Sequence, residues 1–192
     1  MAVRLDKLLS ATGVSRAEAR GAIRAGRVRV GGEVVRDAGM HAEAKDVLVD
    51  GRPLEPPGEL HLMLNKPAGV VTAARDNVSD TVFSLLPDEF RRRDPSPVGR
   101  LDKDVTGLLL FTTDGELLHR LISPKRTVEK VYLAEVEGTP GADDARMFAE
   151  GVRLSDFTAK PARLEVAGDG LALVTVTEGK FHQVKRMFAA IG

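Results

Sequence analysis

Cysteine is absent from the 192 residues, which excludes disulfides and thiolate zinc sites. Histidine occurs four times without grouping, so a metal centre is not expected, and no phosphate-cradling glycine loop is present. Apolar runs such as Leu108-Leu109-Leu110-Phe111 are far too short to span a bilayer. The start, Met1-Ala2-Val3-Arg4-Leu5-Asp6, carries no long apolar stretch behind its charge and does not read as a secretory signal. A cytoplasmic protein is the expectation. What remains for chemistry is a carboxylate, a cation and a phenol, and the phenol is the single tyrosine, Tyr132.

The formal net charge is zero, yet charge is segregated along the chain. Residues 1–36 hold eight Lys/Arg against three Asp/Glu, which leaves the remainder acidic by the same margin. A basic first segment on a neutral protein points to a polyanion partner, most commonly nucleic acid.

Leu5 to Thr12 reads as a short helix, and Ser15 with Glu18 three positions later forms a capping box that opens another over Arg16 to Ala25. Intervals of four put Arg16, Arg20 and Arg24 on one face and leave Ala19 and Ile23 on another. Arg27-Val28-Arg29-Val30 alternates as a strand, Gly31-Gly32 makes a two-residue turn, and Glu33-Val34-Val35-Arg36 returns, with Arg27 and Arg29 extending the basic face. A strand over 46–51 precedes Leu54-Glu55-Pro56-Pro57-Gly58-Glu59, which breaks regular structure as a linker does. This places a domain boundary near residue 57.

Beyond it, strands are expected over 60–64, 108–111, 130–136, 162–166 and 171–177, and helices over 81–86, 116–122 and 142–150. Arg91-Arg92-Arg93 reads as loop. A last helix from about His182 carries Val184, Met187, Phe188 and Ile191 as a core stripe and turns His182, Lys185 and Arg186 to another face. Several strand spacings are too short for a helical crossover. The expected class is therefore α+β, a small N-terminal domain at 1–57 followed at 58–192 by a mixed, largely antiparallel sheet flanked by helices.

The densest motif is Gly99-Arg100-Leu101-Asp102, followed by Thr106-Gly107 and the apolar run to Phe111. Glycines on both sides allow a sharp turn, so the segment reads as a loop that carries Asp102 to the mouth of a buried strand. On spacing alone, a charged turn with an idle Asp102 is the favoured reading.

Two resemblances change that balance. Arg4-Leu5-Asp6-Lys7, Val14-Ser15-Arg16, Arg27-Val28-Arg29-Val30 and Gly32 resemble the small RNA-binding domain of ribosomal protein S-four. Leu64-Asn65-Lys66-Pro67-Ala68-Gly69, the Asp102 motif, Thr113-Asp114-Gly115, Lys130-Val131-Tyr132 and the run from Gly179 to Met187 resemble the pseudouridine synthases, most closely the bacterial ribosomal small-subunit branch. The resemblance implies isomerisation of a uridine in ribosomal RNA without a cofactor. Asp102 would be the nucleophile or its equivalent, attacking either the ribose or the uracil ring. Tyr132 would stack on the base and assist loss of its carbon-five proton, and Lys185 would be the basic partner of the acid, with Arg186 as fallback. Arg16, Arg20, Arg24, Arg27, Arg29, Arg100 and Arg186 are expected to contact RNA, whereas Lys66, Pro67, Gly99 and Gly107 shape the site. The implied partner is rRNA in a small-subunit assembly intermediate, bound by a monomer. A non-catalytic rRNA-binding or assembly protein, a large-subunit rRNA enzyme and an RNA glycosylase are the alternatives. Family members continue past Ile191-Gly192 with further strands, so a catalytic domain lacking its C-terminal end is expected.

Overall fold

The computed structural model describes residues 2–55 and 58–192. The expected boundary at residue 57 and the middle of the 54–59 linker lie outside the described residues. Contacts gather the chain into two compact units, Met1–Leu118 and His119–Gly192.

The first unit begins with β1 (Val3–Arg4), α1 (Leu5–Ser10), α2 (Arg16–Arg24), β2 (Val28–Val30), β3 (Glu33–Val34), β4 (His41–Ala42), β5 (Val47–Val49) and β6 (Arg52–Pro53). The capping box at Ser15 forms as expected: the hydroxyl accepts from the Glu18 N–H at 3.2 Å, and the Glu18 carboxylate accepts from the Ser15 N–H at 2.7 Å. Both otherwise orphaned donors at the start of α2 are thereby satisfied. Ala19 and Ile23 bury completely against Leu5, Val28 and Val47. Gly31 and Gly32 sit at φ 59° and 91°, the paired left-handed geometry that lets a two-residue loop match the twist of a hairpin. The sheet runs β3-β2-β5-β6, all antiparallel. The short β1–β4 pair, and β6, were not among the expected strands.

Asp6 is a charge inside this small core, only 3% exposed. It accepts from the Arg4 guanidinium at 3.1 and 3.0 Å and from Arg20 at 3.3 Å. These hydrogen bonds outweigh burial and hold its carboxyl below the ordinary aspartate value.

The rest of this unit is built on β7 (His61–Lys66) and β9 (Gly107–Thr112), paired antiparallel over six residues, with β8 (Ser96–Pro97) on the other edge of β9. Val82, Leu86, Leu109 and Phe111 form its core, and Phe83 meets Phe111 edge-on at 5.6 Å. Residues 81–86 tighten into a 3₁₀ turn at Val82–Leu85 rather than an α-helix. Arg91 is not in a loop: it closes α3 (Asp88–Arg91), a single turn with two acids at its start and an Asp88–Arg91 pair along it.

α4 (Gly115–Ile122) straddles the division between the units. The second unit then has β10 (Lys130–Glu135), α5 (Ala142–Glu150), β11 (Arg163–Gly168), β12 (Leu171–Val176) and α6 (Gln183–Ile191), with sheet order β10-β12-β11 and both pairings antiparallel. α6 starts at Gln183, because His182 takes a left-handed conformation and cannot join the helix. Val184, Met187, Phe188 and Ile191 pack as the expected stripe on a core of Phe148, Leu164, Ala172 and Val174. An α+β fold with antiparallel sheets is what these pairings make. Among the described residues, no helix is long and apolar enough to cross a membrane.

The lowered Asp6 pKa fixes a sign. The unfolded chain binds a proton at Asp6 more readily than the native one, so this contribution is complete above the ordinary aspartate value and is lost as pH falls through the native one. Asp6→Asn is expected to lower stability at pH 7 and to flatten its decline between about pH 5 and pH 2, followed by urea denaturation across pH. A decline as steep as the wild type's contradicts this role.

Candidate active site

The loop from Gly99 to Gly107 is fixed on every side. Gly99 (φ 83°) and Gly107 (φ 122°) occupy backbone regions closed to side chains, and no neighbouring atom lies within contact range of a Cβ built at either. Glycine is required at both for conformation and not for space. Between them Leu101 packs onto the Val82–Phe111 core. The Thr72 hydroxyl clasps the same residue twice, donating to its carbonyl at 3.0 Å and accepting from its N–H at 3.3 Å. Asp102, half-buried, is thus the next residue after a doubly held anchor, and its own carbonyl accepts from the Val105 N–H at 3.2 Å.

Lys66, the last residue of β7, reaches under this loop with no solvent exposure at all. Its Nζ donates to the carbonyls of Pro67 at 2.9 Å, Val105 at 2.8 Å and Lys103 at 3.4 Å, and the Lys103 carbonyl also accepts from the Gly69 N–H at 2.7 Å. Burial pushes the Lys66 ammonium below the ordinary lysine value, while the Asp104 and Asp102 carboxylates pull it back up. One buried cation therefore both shapes the Asp102 loop and contributes positive potential to it. Of the residues expected to shape the site, Lys66 and Pro67 meet beneath the loop, and Gly99 and Gly107 give it its left-handed ends.

Arg100 is exposed on the loop beside Asp102. Asp102, Arg100 and Lys66 belong to the first unit; Tyr132, Lys185 and Arg186 belong to the second. Tyr132 lies on β10 opposite Val174, half-buried against the core that α6 also packs on. Lys185 is an exposed residue in the first turn of α6. Arg186 is committed elsewhere, paired with Asp156 and donating to Ser155 at 3.3 Å.

The arginines expected to form a basic face are more occupied than their spacing suggests. Arg16 pairs with Asp94 at 2.6 Å, Arg20 reaches Asp6, Arg27 pairs with Asp50, and Arg29 donates to the Gly32 carbonyl at 3.0 Å. Arg24 is exposed on the same face of α2. Thr72 escapes sequence reasoning although it organises the Asp102 loop: it belongs to no recognisable spacing, and only the fold brings it to a residue 29 positions away.

Lys66→Met leaves the Val105 and Pro67 carbonyls without their donor, and is expected to cost about 2 kcal/mol in urea unfolding. It should also speed native-state exchange of the Gly69 and Val105 amides, which measure how firmly the loop is closed. Unaltered exchange at both would show that the loop holds itself without Lys66.

Comparison with known proteins agrees with this architecture. Residues 60–190 match the family model for RNA pseudouridylate synthase, and residues 3–48 match that of the S4 domain. The chain is 45% identical over 196 residues to ribosomal small subunit pseudouridine synthase A of Escherichia coli K12, covering 99% of this chain and 84% of that protein. It is 40% identical over 198 residues to the RNA pseudouridine synthase YtzG of Bacillus subtilis 168, itself uncharacterized, covering 99% and 83%. A crystal structure of a pseudouridylate synthase superposes with a TM-score of 0.65 at 34% identity, over 99% of this chain and 84% of that one. With well over half its length matched by the family model and nearly all of it aligned to such relatives, the chain belongs to the RNA pseudouridylate synthase family.

Proposed function

We propose that the chain converts a uridine of small-subunit ribosomal RNA to pseudouridine, with Asp102 as the reacting carboxylate and Tyr132 and Lys185 as its partners. The observation that carries this reading is the Asp102 loop. An idle charged turn needs neither a wholly buried ammonium beneath it nor a threonine clasp on the preceding residue. Preorganisation of this kind is what a group that must meet its target within a fraction of an ångström requires.

The reaction is an isomerisation, so reactant and product have the same composition and no external oxidant or reductant enters. The bond from ribose C1′ to uracil N1 breaks, the base turns over, and a bond from C1′ to C5 forms; the C5 proton leaves and N1 ends protonated. Asp102 serves this either by attacking C1′, which releases the base as an anion, or by attacking the ring. Tyr132 offers an aromatic face to hold the base while it turns and a phenol to assist the C5 proton. Lys185 supplies the cation that keeps Asp102 ionised when RNA covers the site. The Arg186–Asp156 pair favours Lys185 over Arg186 in that role.

The uridine must leave its helix to be reached, at a cost of a few kcal/mol, and RNA contacts elsewhere can offset this. Residues 1–57, which include the S4 match, would grip the RNA through Arg16, Arg20, Arg24, Arg27 and Arg29, while residues 58–192 carry the chemistry and Arg100 contacts the RNA next to Asp102. The working form is a monomer acting in the cytoplasm on a small-subunit assembly intermediate.

Asp102→Asn is expected to abolish pseudouridine formation in unmodified rRNA, read by carbodiimide-blocked reverse transcription, with RNA affinity within a few fold of wild type. An equal loss of affinity would make Asp102 an RNA-positioning residue, and a wild-type chain that binds tightly yet gives no new stop would sink the enzyme reading. Changing Arg16, Arg20 and Arg24 together to Ala should weaken binding and reduce its salt slope by about one unit for every phosphate no longer neutralised. A slope equal to wild type would restrict these arginines to their pairs with Asp94 and Asp6.

A further inference from the structure

The turn leading into α6 displays a ring to solvent. Phe181 is 72% exposed, the one aromatic among the exposed large apolar side chains of the described residues. Its ring lies on the His182 imidazole, centroids 3.8 Å apart and planes 18° from parallel. His182 holds φ 49°, a left-handed conformation that residues with a Cβ rarely adopt and that persists only where surrounding structure enforces it.

The enforcement comes from beneath. Gln183 is buried; its Oε1 accepts the Lys180 N–H at 2.9 Å and its Nε2 donates to the Glu178 carboxylate at 2.9 Å. That carboxylate in turn accepts the Lys160 N–H at 2.8 Å. The Gln183 N–H bonds the Lys180 carbonyl, and the Arg186 N–H bonds that of His182. Basic residues bracket the pair along the chain: Lys180 precedes it, and Lys185 and Arg186 follow in the first turn of α6, with the Lys180 ammonium and the Arg186 guanidinium gathered over the Phe157 ring at 4.8 and 5.2 Å.

A buried amide network thus fixes a left-handed turn that presents an exposed ring, backed by a half-buried imidazole, in a basic stretch of the chain. Core packing does not need Phe181, and a purely apolar partner would not need the cations. A planar ring attached to phosphate fits both. We propose that Phe181, prestacked on His182, is a platform for an unpaired base of the substrate RNA, flanking the uridine that is isomerised; the flanking position rests on the isomerase reading above, through Lys185 on the same helix. Stacking of this kind tolerates any base, because each has a π face, so the platform positions RNA without selecting its sequence.

The test uses the full chain and an unmodified small-subunit rRNA transcript, comparing Phe181→Ala, Phe181→Leu and Phe181→Tyr. Kd is measured by equilibrium binding, and KM and kcat by pseudouridine formation. Ala and Leu should raise Kd and KM on the order of tenfold, while Tyr, which keeps the ring, stays within about twofold and kcat at saturating RNA and the melting temperature are unchanged. Leu binding as tightly as wild type would replace stacking with simple apolar contact and overturn the platform. So would an active wild type whose Kd and KM survive Ala. A wild type that makes no pseudouridine but loses RNA affinity on Phe181→Ala would remove the isomerase reading and leave the platform standing.

Discussion

The Lys66 ammonium is completely buried and surrounded by the carbonyls of Pro67, Lys103 and Val105. Removing a charge from water costs several kcal/mol, and three N–H donations with two nearby carboxylates offset that cost only if the loop follows one path. The cation thereby selects a single course for residues 102–105 out of the many that glycines at 99 and 107 permit. Thr72 and Leu101 pin the other side of the loop to the β7–β9 sheet. The acid that the proposed chemistry requires is positioned by a lysine that touches no substrate. Deformation at Lys66 would therefore be felt at Asp102 before it was felt in the core.

Charge in the N-terminal part of the first unit follows a different rule. Arg16, Arg20 and Arg27 sit where helix and strand periodicity direct them, but each meets a carboxylate of the same chain. Exposed pairs of this sort contribute roughly 0–1 kcal/mol, so a phosphate can replace the acid at small cost. The pairs hold the guanidiniums extended and ordered, which is what the proposed RNA contact requires. Asp6 is the exception, since its pairing is nearly buried and belongs to the core as much as to the surface.

Features legible in the sequence share a short range. The Ser15–Glu18 box, the Gly31-Gly32 turn and the stripe Val184, Met187, Phe188, Ile191 are each specified within a few residues, by capping geometry, by left-handed backbone or by a 3.6-residue period. The loop around Asp102 was legible through its flanking glycines, as was the strand that anchors it. What stayed hidden joins distant positions. Lys66 meets residues 37 and 39 places away, Thr72 one 29 away, and Arg16 an acid 78 away. No local period encodes such pairings. Single-turn elements such as α3 stayed hidden for a related reason, being shorter than any period that could announce them.

The sequence by itself determined the antiparallel α+β class, the basic N-terminal segment and the identity of the residues available for chemistry, because composition, periodicity and motif order are local properties of the chain. Only the tertiary structure decided that Lys66 is a buried strut, that most of the basic face is held by the chain's own acids, and that His182 leaves the helix to support an exposed Phe181. Each of these depends on which desolvated groups find partners once distant segments meet, and that balance does not exist until the chain has folded.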